Sequence, residues 1–504
     1  MEKNNLAISH KLLLSQIYSN LTQFMNFSIL ILFLASQTLI LVTRKLDPTY
    51  HFLATSCFLL VTVTVKQYIS RPDPIYLVDF SCLKPPNFAR VPFSTFVEHI
   101  QMLDFLDQES VSFMSKILKH SGQGESTYLP PALHAIPPKS THLDATQEAH
   151  LALFPVFESL ISKTNISPSD IDILIVNCSG FCPSPSLSSV IVNKYGLRDD
   201  VKSFTISGMG CSASALAIDM AYNMLKTLKG SNAVILSTEI LSTGWYPGKE
   251  ENMMVLNCLF RWGAAGVLVT NRKEAKKTAK YKMVCSLRTQ RAFDDKGYYS
   301  AIREEDGDGL TGVTLRRDLL QVMNTTLDCA ISPTIINKEI SVAGETLRSN
   351  ITILGSKILP YTEIILYACS IIRKKYLNKS AEIYVPNFKR AVQHFCLPAS
   401  GKPVIREIGK GLKLGDKDME PAYMTLHRFG NQSSSSLWYE LGYIEAKERV
   451  KKGDRVWQLG MGTGPKCSSL VWECIRPIVG EAQKGVWADS IDNYPVPIID
   501  KNSP

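Results

Sequence analysis

A cysteine on a glycine-rich turn is the residue of this chain best suited to chemistry. A predicted strand over residues 201–206 precedes it and a predicted helix over residues 212–228 follows it, around the run Ser207-Gly208-Met209-Gly210-Cys211-Ser212-Ala213. Amides and the helix dipole at a helix N-terminus favour a thiolate, and the glycines let a substrate approach closely. The pattern predicts that Cys211 is a nucleophile for acyl transfer. The alternative from these residues alone is a buried, inert cysteine.

A second candidate lies downstream, where a serine run opens another predicted helix. Asn431 precedes that run, in the stretch Leu426-His427-Arg428-Phe429-Gly430-Asn431-Gln432-Ser433-Ser434-Ser435-Ser436. Its side-chain amide can donate to an oxyanion, and the alternative is a simple capping or turn residue. The run GMGTG at residues 460–464 matches neither a Walker phosphate loop nor a dinucleotide fingerprint. It indicates close backbone packing.

The elements that must position these residues alternate along the chain. The patterns predict helices over residues 147–163, 186–195 and 433–446, and strands over residues 171–176, 233–237, 264–269, 382–385 and 455–459. Such alternation is typical of α/β layers around a mostly buried sheet. We therefore expect two similar α/β halves that face each other, with Cys211 in the first.

Composition excludes several classes of protein. The chain has 504 residues, enough for two or three domains or one large duplicated domain, and its 45% hydrophobic content excludes global disorder. The net charge is +9, without a dense basic block, which disfavours a nucleic-acid partner. The 12 cysteines show no metal-binding spacing. They indicate free thiols in a reducing compartment.

The N-terminal region is unusually free of charge. No Asp, Glu, Lys or Arg occurs from Leu12 to Thr43, and a second uncharged run extends from His51 to Val65. With their polar flanks the two runs approach the roughly 20 residues that a membrane span needs. They predict a transmembrane hairpin with helices at about 24–43 and 50–69, and the alternative is a buried helical hairpin. Two spans return both ends to one side, and the free thiols favour a cytosolic catalytic domain.

These features together resemble the plant 3-ketoacyl-CoA synthases, the condensing enzymes of very-long-chain fatty acid elongation. The resemblance extends from the hairpin to about Arg476 and includes YLVDFSC at 76–82, NCLFR at 257–261, EED at 304–306, PNFKR at 386–390 and GDRVWQ at 453–458. It implies a thiolase-like αβαβα fold of two related halves, which is usually dimeric. The implied domains are a membrane anchor over residues 1–71, an N-terminal half over 72–275, a C-terminal half over 276–480 and a tail over 481–504, which its prolines predict to be loosely ordered from Ala488 onward.

The resemblance also implies a reaction. An acyl group moves from CoA to Cys211, malonyl-CoA loses CO2, and the carbanion attacks the acyl thioester to give 3-oxoacyl-CoA and CoA. Asn431 matches a family oxyanion donor, and His427 and His394 match family histidines. The implied partners are acyl-CoA, malonyl-CoA, a second copy of the chain and the elongase reductases and dehydratase, in the endoplasmic reticulum membrane. No metal or redox cofactor is implied.

The chain departs from the family pattern at the histidine that serves the oxyanion, where it has Pro398. Proline has no side-chain donor, so the loss predicts either a weakened enzyme or a catalytically silent paralogue that binds and modulates elongase components. His394 is then either structural or a substitute participant, and His427 either supports the Asn431 loop or takes part. Another family histidine is replaced by Gln290. Residues 323–342 form an atypical insertion, either a gene-model artefact or a surface loop. A soluble polyketide-type synthase is a third interpretation, which the uncharged N-terminal runs disfavour.

Overall fold

The computed structural model describes residues 56–58, 73–315 and 342–497, with the exception of residues 294, 379 and 382. The chain divides into two units, Met1–Pro72 and Asp73–Pro504. In the first unit only residues 56–58 are described, and they are helical. The predicted spans at 24–43 and 50–69 otherwise lie outside the described residues, as do residues 323–341 of the predicted insertion. Among the helices that the structure describes, none combines the length and the apolar character of a membrane span.

A nine-stranded sheet forms the centre of the Asp73–Pro504 unit. Its strand order is β3-β2-β4-β5-β1-β6-β11-β10-β9, and β7 and β8 form a separate hairpin. The strands are β1 (Tyr76–Cys82), β2 (Ile173–Asn177), β3 (Lys202–Ile206), β4 (Asn232–Thr238), β5 (Ala264–Thr270), β6 (Tyr281–Gln290), β7 (Ala301–Glu305), β8 (Thr311–Leu315), β9 (His394–Cys396), β10 (Arg455–Gly462) and β11 (Lys466–Cys474). Since β1 pairs with both β5 and β6, the two predicted halves share one sheet.

Helices cover both faces of this sheet. They are α1 (Phe93–Gln101), α2 (Gln108–His120), α3 (His142–Thr164), α4 (Leu187–Tyr195), α5 (Ala213–Thr227), α6 (Glu251–Leu259), α7 (Asp295–Tyr298), α8 (Val342–Ile358), α9 (Tyr361–Ile372), α10 (Lys402–Gly411), α11 (Asp416–Phe429) and α12 (Ser436–Ala446). Helix α5 packs against β2 and β4 from the first half and against β6, β10 and β11 from the second. Its N-terminus therefore lies where the two halves meet.

The strands alternate between two hydrophobic clusters, one on each face of the sheet. In β2, Leu174 and Val176 belong to one cluster, whereas Ile173 and Ile175 belong to the other. Successive strand side chains point to opposite faces, so a strand with no polar face must be covered on both sides. The predicted α/β architecture with a mostly buried sheet is confirmed.

Element boundaries differ from prediction where local hydrogen bonds or distant partners decide them. Helix α3 begins at His142, several residues before the predicted start, because Thr141 and Asp144 form a capping box there. The predicted strand over residues 382–385 is wrong, since the described residues 383–387 form no strand. The strand that joins the sheet in this part of the chain is β9, which pairs in parallel with β10.

The described residues 488–497 pack against the domain, whereas a loose tail was expected from Ala488 onward. Trp487, Ile491 and Tyr494 are all buried, and the Trp487 indole donates to the Tyr439 carbonyl at 2.8 Å. Prolines alone suggested disorder. Trp487 and Tyr494, which precede Pro495, hold the described part of the tail against the domain because their side chains bury a large apolar area.

Candidate active site

The nucleophile turn is held by a close approach of two glycine-rich segments. Residues Gly210–Ser212 form a single 3-10 turn that leads into α5, and Gly210 has a φ of 57°. A Cβ atom on Gly210 would lie 2.7 Å from the Thr463 backbone nitrogen, so only glycine fits there. The prediction that residues 460–464 serve close backbone packing is confirmed. The contact fixes Cys211 at the junction of the two halves.

A cavity of about 430 Å³ opens onto Cys211. Asn431, Ser433 and Pro398 line it next to the thiol. Most of its remaining wall is apolar and comes from both halves of the domain: Ile240, Leu241, Val255, Leu256, Leu259, Phe260, Ala292, Ala301, Ile302, Val313, Leu315, Val404 and Met461. Such a lining suits a hydrocarbon chain that ends at a reactive carbonyl.

One polar side chain, Ser433, connects the thiol to a carboxylate. Ser433 Oγ lies 3.4 Å from Cys211 Sγ and 3.2 Å from Glu239 Oε2. A hydroxyl has one proton to donate, and a carboxylate is a stronger acceptor than a thiol. In the resting site we therefore expect Ser433 to donate to Glu239, which leaves its oxygen lone pairs to accept the Cys211 proton.

Glu239, which directly follows β4, is held in place by backbone amides of the loop after β2. Its Oε1 accepts hydrogen bonds from Gly180 N at 2.6 Å and Ser179 N at 3.0 Å. The same loop reaches the nucleophile turn, because Ser179 Oγ accepts from the Gly210 amide at 2.9 Å. The carboxylate, the serine and the thiol thus form one connected network that the backbone orients.

The structure reverses the expected ionisation of the nucleophile. Burial raises the pKa of Cys211 to about 11 and the nearby charge of Glu239 adds to this increase, although a hydrogen bond donated by the Ser433 hydroxyl to the thiolate offsets part of it. Burial therefore opposes the thiolate that the helix N-terminus favours. With this pKa about one thiol in 10⁴ is ionised at pH 7. Burial also raises the pKa of Glu239 above its ordinary value. Acyl transfer at this site consequently needs a proton acceptor.

Asn431 is placed as a donor toward the cavity. It is 3% exposed, and its Oδ1 accepts from the Ser433 amide at 2.8 Å. Its backbone carbonyl accepts from the Arg261 amide at 2.8 Å, which ties the turn to the neighbouring segment. Because the amide oxygen is engaged, the Nδ2 group is the polar atom left to face a substrate oxygen.

Pro398 faces the same space, beside Cys211 and Asn431. Its loop is anchored by Glu440, whose Oε2 accepts from the Leu397 amide at 2.7 Å. Glu440 is fully buried, and burial raises its pKa well above the ordinary value. The loop that brings Pro398 to the cavity is therefore held firmly, although the side chain it presents donates no hydrogen bond.

The two predicted histidines are not among the residues that line the cavity. His394 lies on β9, and its Nε2 is 2.9 Å from Asp454 Oδ2. His427 is near the end of α11, with its Nδ1 3.0 Å from the Tyr494 hydroxyl, and burial lowers its pKa. These contacts favour structural roles for both residues. Their predicted part in catalysis receives no support from this geometry.

Sequence reasoning missed Glu239, Ser433 and Ser179 as members of the site. Glu239 directly follows a buried strand, where side chains gather at the carboxyl ends of parallel strands. That position was a usable signal. Ser433 gave no comparable signal, because it is one of four consecutive serines. The described residues contain no group of His, Cys, Asp and Glu side chains arranged to hold a metal ion.

Two known protein families together match most of the described domain. Residues 67–376 match the family described as FAE1/Type III polyketide synthase-like protein, and residues 389–474 match the 3-oxoacyl-[acyl-carrier-protein (ACP)] synthase III C-terminal family. The chain is 46% identical to 3-ketoacyl-CoA synthase 5 of Arabidopsis thaliana, over 88% of this chain and 86% of that protein. It is 41% identical to 3-ketoacyl-CoA synthase 7 of the same plant, over 91% and 95% of the two chains.

Solved structures of low sequence identity share the fold. A mutant of CsyB superposes with a TM-score of 0.61 at 15% identity and covers 80% of this chain and 100% of its own. The fungal type III polyketide synthase ORAS gives a TM-score of 0.59 at 14% identity, over 79% and 99% of the two chains. The fold is thiolase-like. With its cysteine turn, its apolar cavity and these relatives, the chain belongs to the plant 3-ketoacyl-CoA synthases, condensing enzymes of the acyltransferase type.

Proposed function

We propose that this chain condenses a long-chain acyl-CoA with malonyl-CoA and releases 3-oxoacyl-CoA, CO2 and CoA. The observation that carries the proposal is the apolar cavity that ends at Cys211 between the two halves of the domain. An aliphatic chain gains free energy when it leaves water for such a lining. Its thioester carbonyl then lies against the thiol, within reach of Ser433 and Asn431.

The first half-reaction is transfer of the acyl group to Cys211. The thiol proton moves to Ser433 Oγ as the serine proton moves to Glu239, and the sulfur attacks the thioester carbonyl. The bond between that carbonyl and the CoA sulfur breaks, CoA leaves as a thiolate, and solvent protonates it. Glu239 is thus the proton acceptor that the raised pKa of Cys211 requires.

The second half-reaction forms the new carbon–carbon bond. The bond between the malonyl carboxylate and the adjacent carbon breaks, CO2 leaves, and its electron pair forms an enolate that attacks the acyl group on Cys211. The sulfur departs as a thiolate and recovers its proton from Glu239 through Ser433. Negative charge develops on the malonyl thioester oxygen, and Asn431 Nδ2 is the donor positioned for it. Pro398 supplies none, so this half-reaction is the slower one in our proposal.

Glu239→Gln is expected to change two rates at Cys211 in opposite directions. The amide removes a negative charge that raises the pKa of Cys211, so iodoacetamide should alkylate the thiol faster at neutral pH. The same change removes the proton acceptor, so acyl transfer from acyl-CoA should slow by about 10²–10⁴-fold. Mass spectrometry of the alkylated and acylated protein measures both rates.

A second carboxylate variant and a serine variant complete this test. Glu148→Gln alters another buried carboxylate, which binds the Leu241 and Ser242 amides, and should leave both rates unchanged. Ser433→Ala breaks the hydrogen-bonded path from Cys211 to Glu239. It should therefore slow acyl transfer without making alkylation faster. If Glu239→Gln acylates as fast as the parent chain, Glu239 is not the proton acceptor.

The overall reaction is tested in a host that lacks its own elongation activity. The parent chain should produce new very-long-chain acyl groups, and Cys211→Ala should produce none, because Cys211 is the only thiol among the described residues that line the cavity. The control is Cys182→Ala, which removes an exposed thiol outside the cavity lining and should retain full activity. Product formation by Cys211→Ala would contradict the proposal.

A silent paralogue is the second candidate, and Pro398 in the cavity wall is the observation that favours it. In that case the chain would carry an acyl adduct on Cys211 in the same host but release no 3-oxoacyl product.

We further propose that the enzyme is a homodimer in the endoplasmic reticulum membrane, with a cytosolic catalytic domain that works beside the elongase reductases and dehydratase. The uncharged runs before residue 66 support a membrane anchor.

A further inference from the structure

Helix α9 presents apolar side chains to solvent, which is the reverse of an ordinary surface helix. Its 12 residues contain one charged side chain, Glu363, and that side chain is buried. Large apolar residues on the helix and just beyond it are instead exposed: Tyr361 85%, Ile365 58%, Leu366 49%, Ile372 53%, Tyr376 71% and Leu377 81%. A contiguous exposed patch of this kind marks an interaction surface.

The spacing of these residues makes a single stripe. Tyr361, Ile365, Cys369, Ile372 and Tyr376 follow one another at intervals of three or four residues, and each is exposed. Side chains at these intervals lie on one side of a helix. The stripe is therefore a continuous surface, with a tyrosine at each end.

The opposite side of α9 is fastened to the domain. Glu363 accepts hydrogen bonds from the Tyr384 hydroxyl at 2.8 Å and the Asn387 amide at 2.9 Å, and it forms an ion pair with Arg390 at 2.9 Å. Ile364 packs against the hydrophobic core. These contacts set the rotation of the helix about its axis, so the stripe cannot turn inward without breaking them.

The charged residues that follow Glu363 in the sequence, as far as residue 381, have one sign. Between Glu363 and Glu382 the sequence contains no acidic residue, whereas it contains Arg373, Lys374, Lys375 and Lys379. Arg373 is exposed at the end of the helix. An apolar stripe with tyrosines at its ends and basic residues beside it has the composition of a helix that lies in a membrane interface.

We propose that α9 docks the catalytic domain onto a lipid bilayer that contains anionic headgroups. The helix is about 18 Å long, too short to cross a hydrocarbon core of about 30 Å, so it lies along the surface. Its apolar stripe enters the boundary between headgroups and acyl chains, and the exposed Arg373 contacts anionic headgroups. This contact belongs to the folded domain and is distinct from the proposed N-terminal spans and from the condensation chemistry.

A tryptophan placed in the stripe provides a direct test. All six native tryptophans are buried, so they contribute little contact quenching: Trp245, Trp262, Trp438, Trp457, Trp472 and Trp487. The full chain carrying Ile365→Trp is combined with vesicles of phosphatidylcholine and phosphatidylserine whose acyl chains are brominated. Bromine quenches only an indole that enters the bilayer boundary, so we expect Ile365→Trp to lose fluorescence relative to unbrominated vesicles.

The matched control places the indole elsewhere on the domain surface. Phe88 is 71% exposed and lies in the 3-10 turn Asn87–Ala89, so Phe88→Trp should remain unquenched even if the N-terminal region holds the chain in the membrane. Adding Ile372→Asp to Ile365→Trp should abolish quenching, and vesicles without phosphatidylserine should reduce it.

Three outcomes would overturn the proposal. Equal quenching at both positions means that no specific surface faces the lipid. Absence of quenching with solvent-like emission means that the stripe stays in water. Blue-shifted but unquenched emission means that protein covers the stripe, either a second copy or another segment. Hydrogen exchange of residues 361–377 with and without vesicles repeats the test on the unmodified chain, where α9 amides should become more protected.

Discussion

Replacing Pro398 with histidine is expected to raise the rate of condensation by about 10²–10³-fold, since one oxyanion donor typically contributes that much. The residue lines the cavity beside Cys211 and Asn431, so an imidazole at this position would share the space in which the malonyl thioester oxygen must lie. Proline has no backbone N–H, so the exchange removes no existing hydrogen bond. The loop is held through Leu397 and Glu440, which the substitution leaves intact.

The measurement separates the two half-reactions. Acyl-adduct formation on Cys211 should be unchanged in Pro398→His, whereas release of 3-oxoacyl-CoA from the preformed adduct should accelerate. Pro398→Ala is the control, because it removes the ring without adding a donor and should gain little. An equal gain in both variants would show that loop freedom, and not the missing donor, limits the reaction. No gain in either would show that Asn431 alone suffices.

Lys280→Met is expected to destabilise the Asp73–Pro504 unit by about 3–5 kcal/mol, the usual cost of leaving buried charges without their partner. Lys280 Nζ forms ion pairs with Glu445 at 2.8 Å, Asp79 at 3.0 Å and Glu481 at 3.1 Å, and its side chain is 2% exposed. One cation thereby joins β1, β6, α12 and the segment after β11. Methionine fills similar volume but leaves three carboxylates without their common cation.

Denaturant unfolding of the full chain in detergent measures this loss. Lys282→Met is the control, because Lys282 is 39% exposed and lies 4.0 Å from Glu473, so its pair should contribute little. The pH dependence has a definite sign. Burial lowers the pKa of Lys280, but the surrounding carboxylates raise it by more. The pKa therefore lies above the ordinary lysine value. The stabilisation by Lys280 is therefore complete when the pH is below the ordinary lysine pKa. It is lost as the pH rises through the raised pKa of Lys280 in the folded chain. If Lys280→Met and Lys282→Met unfolded at the same denaturant midpoint, the stabilising role given to Lys280 would be contradicted.

The fold class and the nucleophile turn followed from local patterns. Glycines around Cys211, with a strand before them and a helix after, specify a turn by backbone geometry alone. The buried sheet also followed, because strands such as Ile173–Asn177 have no polar face. Predicted boundaries erred where a single cap or a distant strand decided them, as at His142 and at β9.

The chemistry of the site depended on contacts that no local pattern contains. Ser433 reaches Cys211 across 222 positions of sequence and Glu239 across 194. The helix N-terminus predicted an ionised thiol. The folded chain partly buries that thiol beside a carboxylate, and both effects raise its pKa. Likewise, His394 and His427 matched family histidines in sequence, but their partners Asp454 and Tyr494 lie outside the cavity lining.

By itself, then, the sequence determined the α/β class, and it predicted Cys211 as the nucleophile, Asn431 as an oxyanion donor and the absence of a donor at Pro398. These depend on residue type and on neighbours a few positions away. Only the tertiary structure decided the contacts that join Cys211 to Glu239 through Ser433, the places of the two histidines and the outward face of α9. Ionisation and hydrogen bonding depend on burial and on atoms within a few ångströms, and folding brings those atoms together from distant parts of the chain.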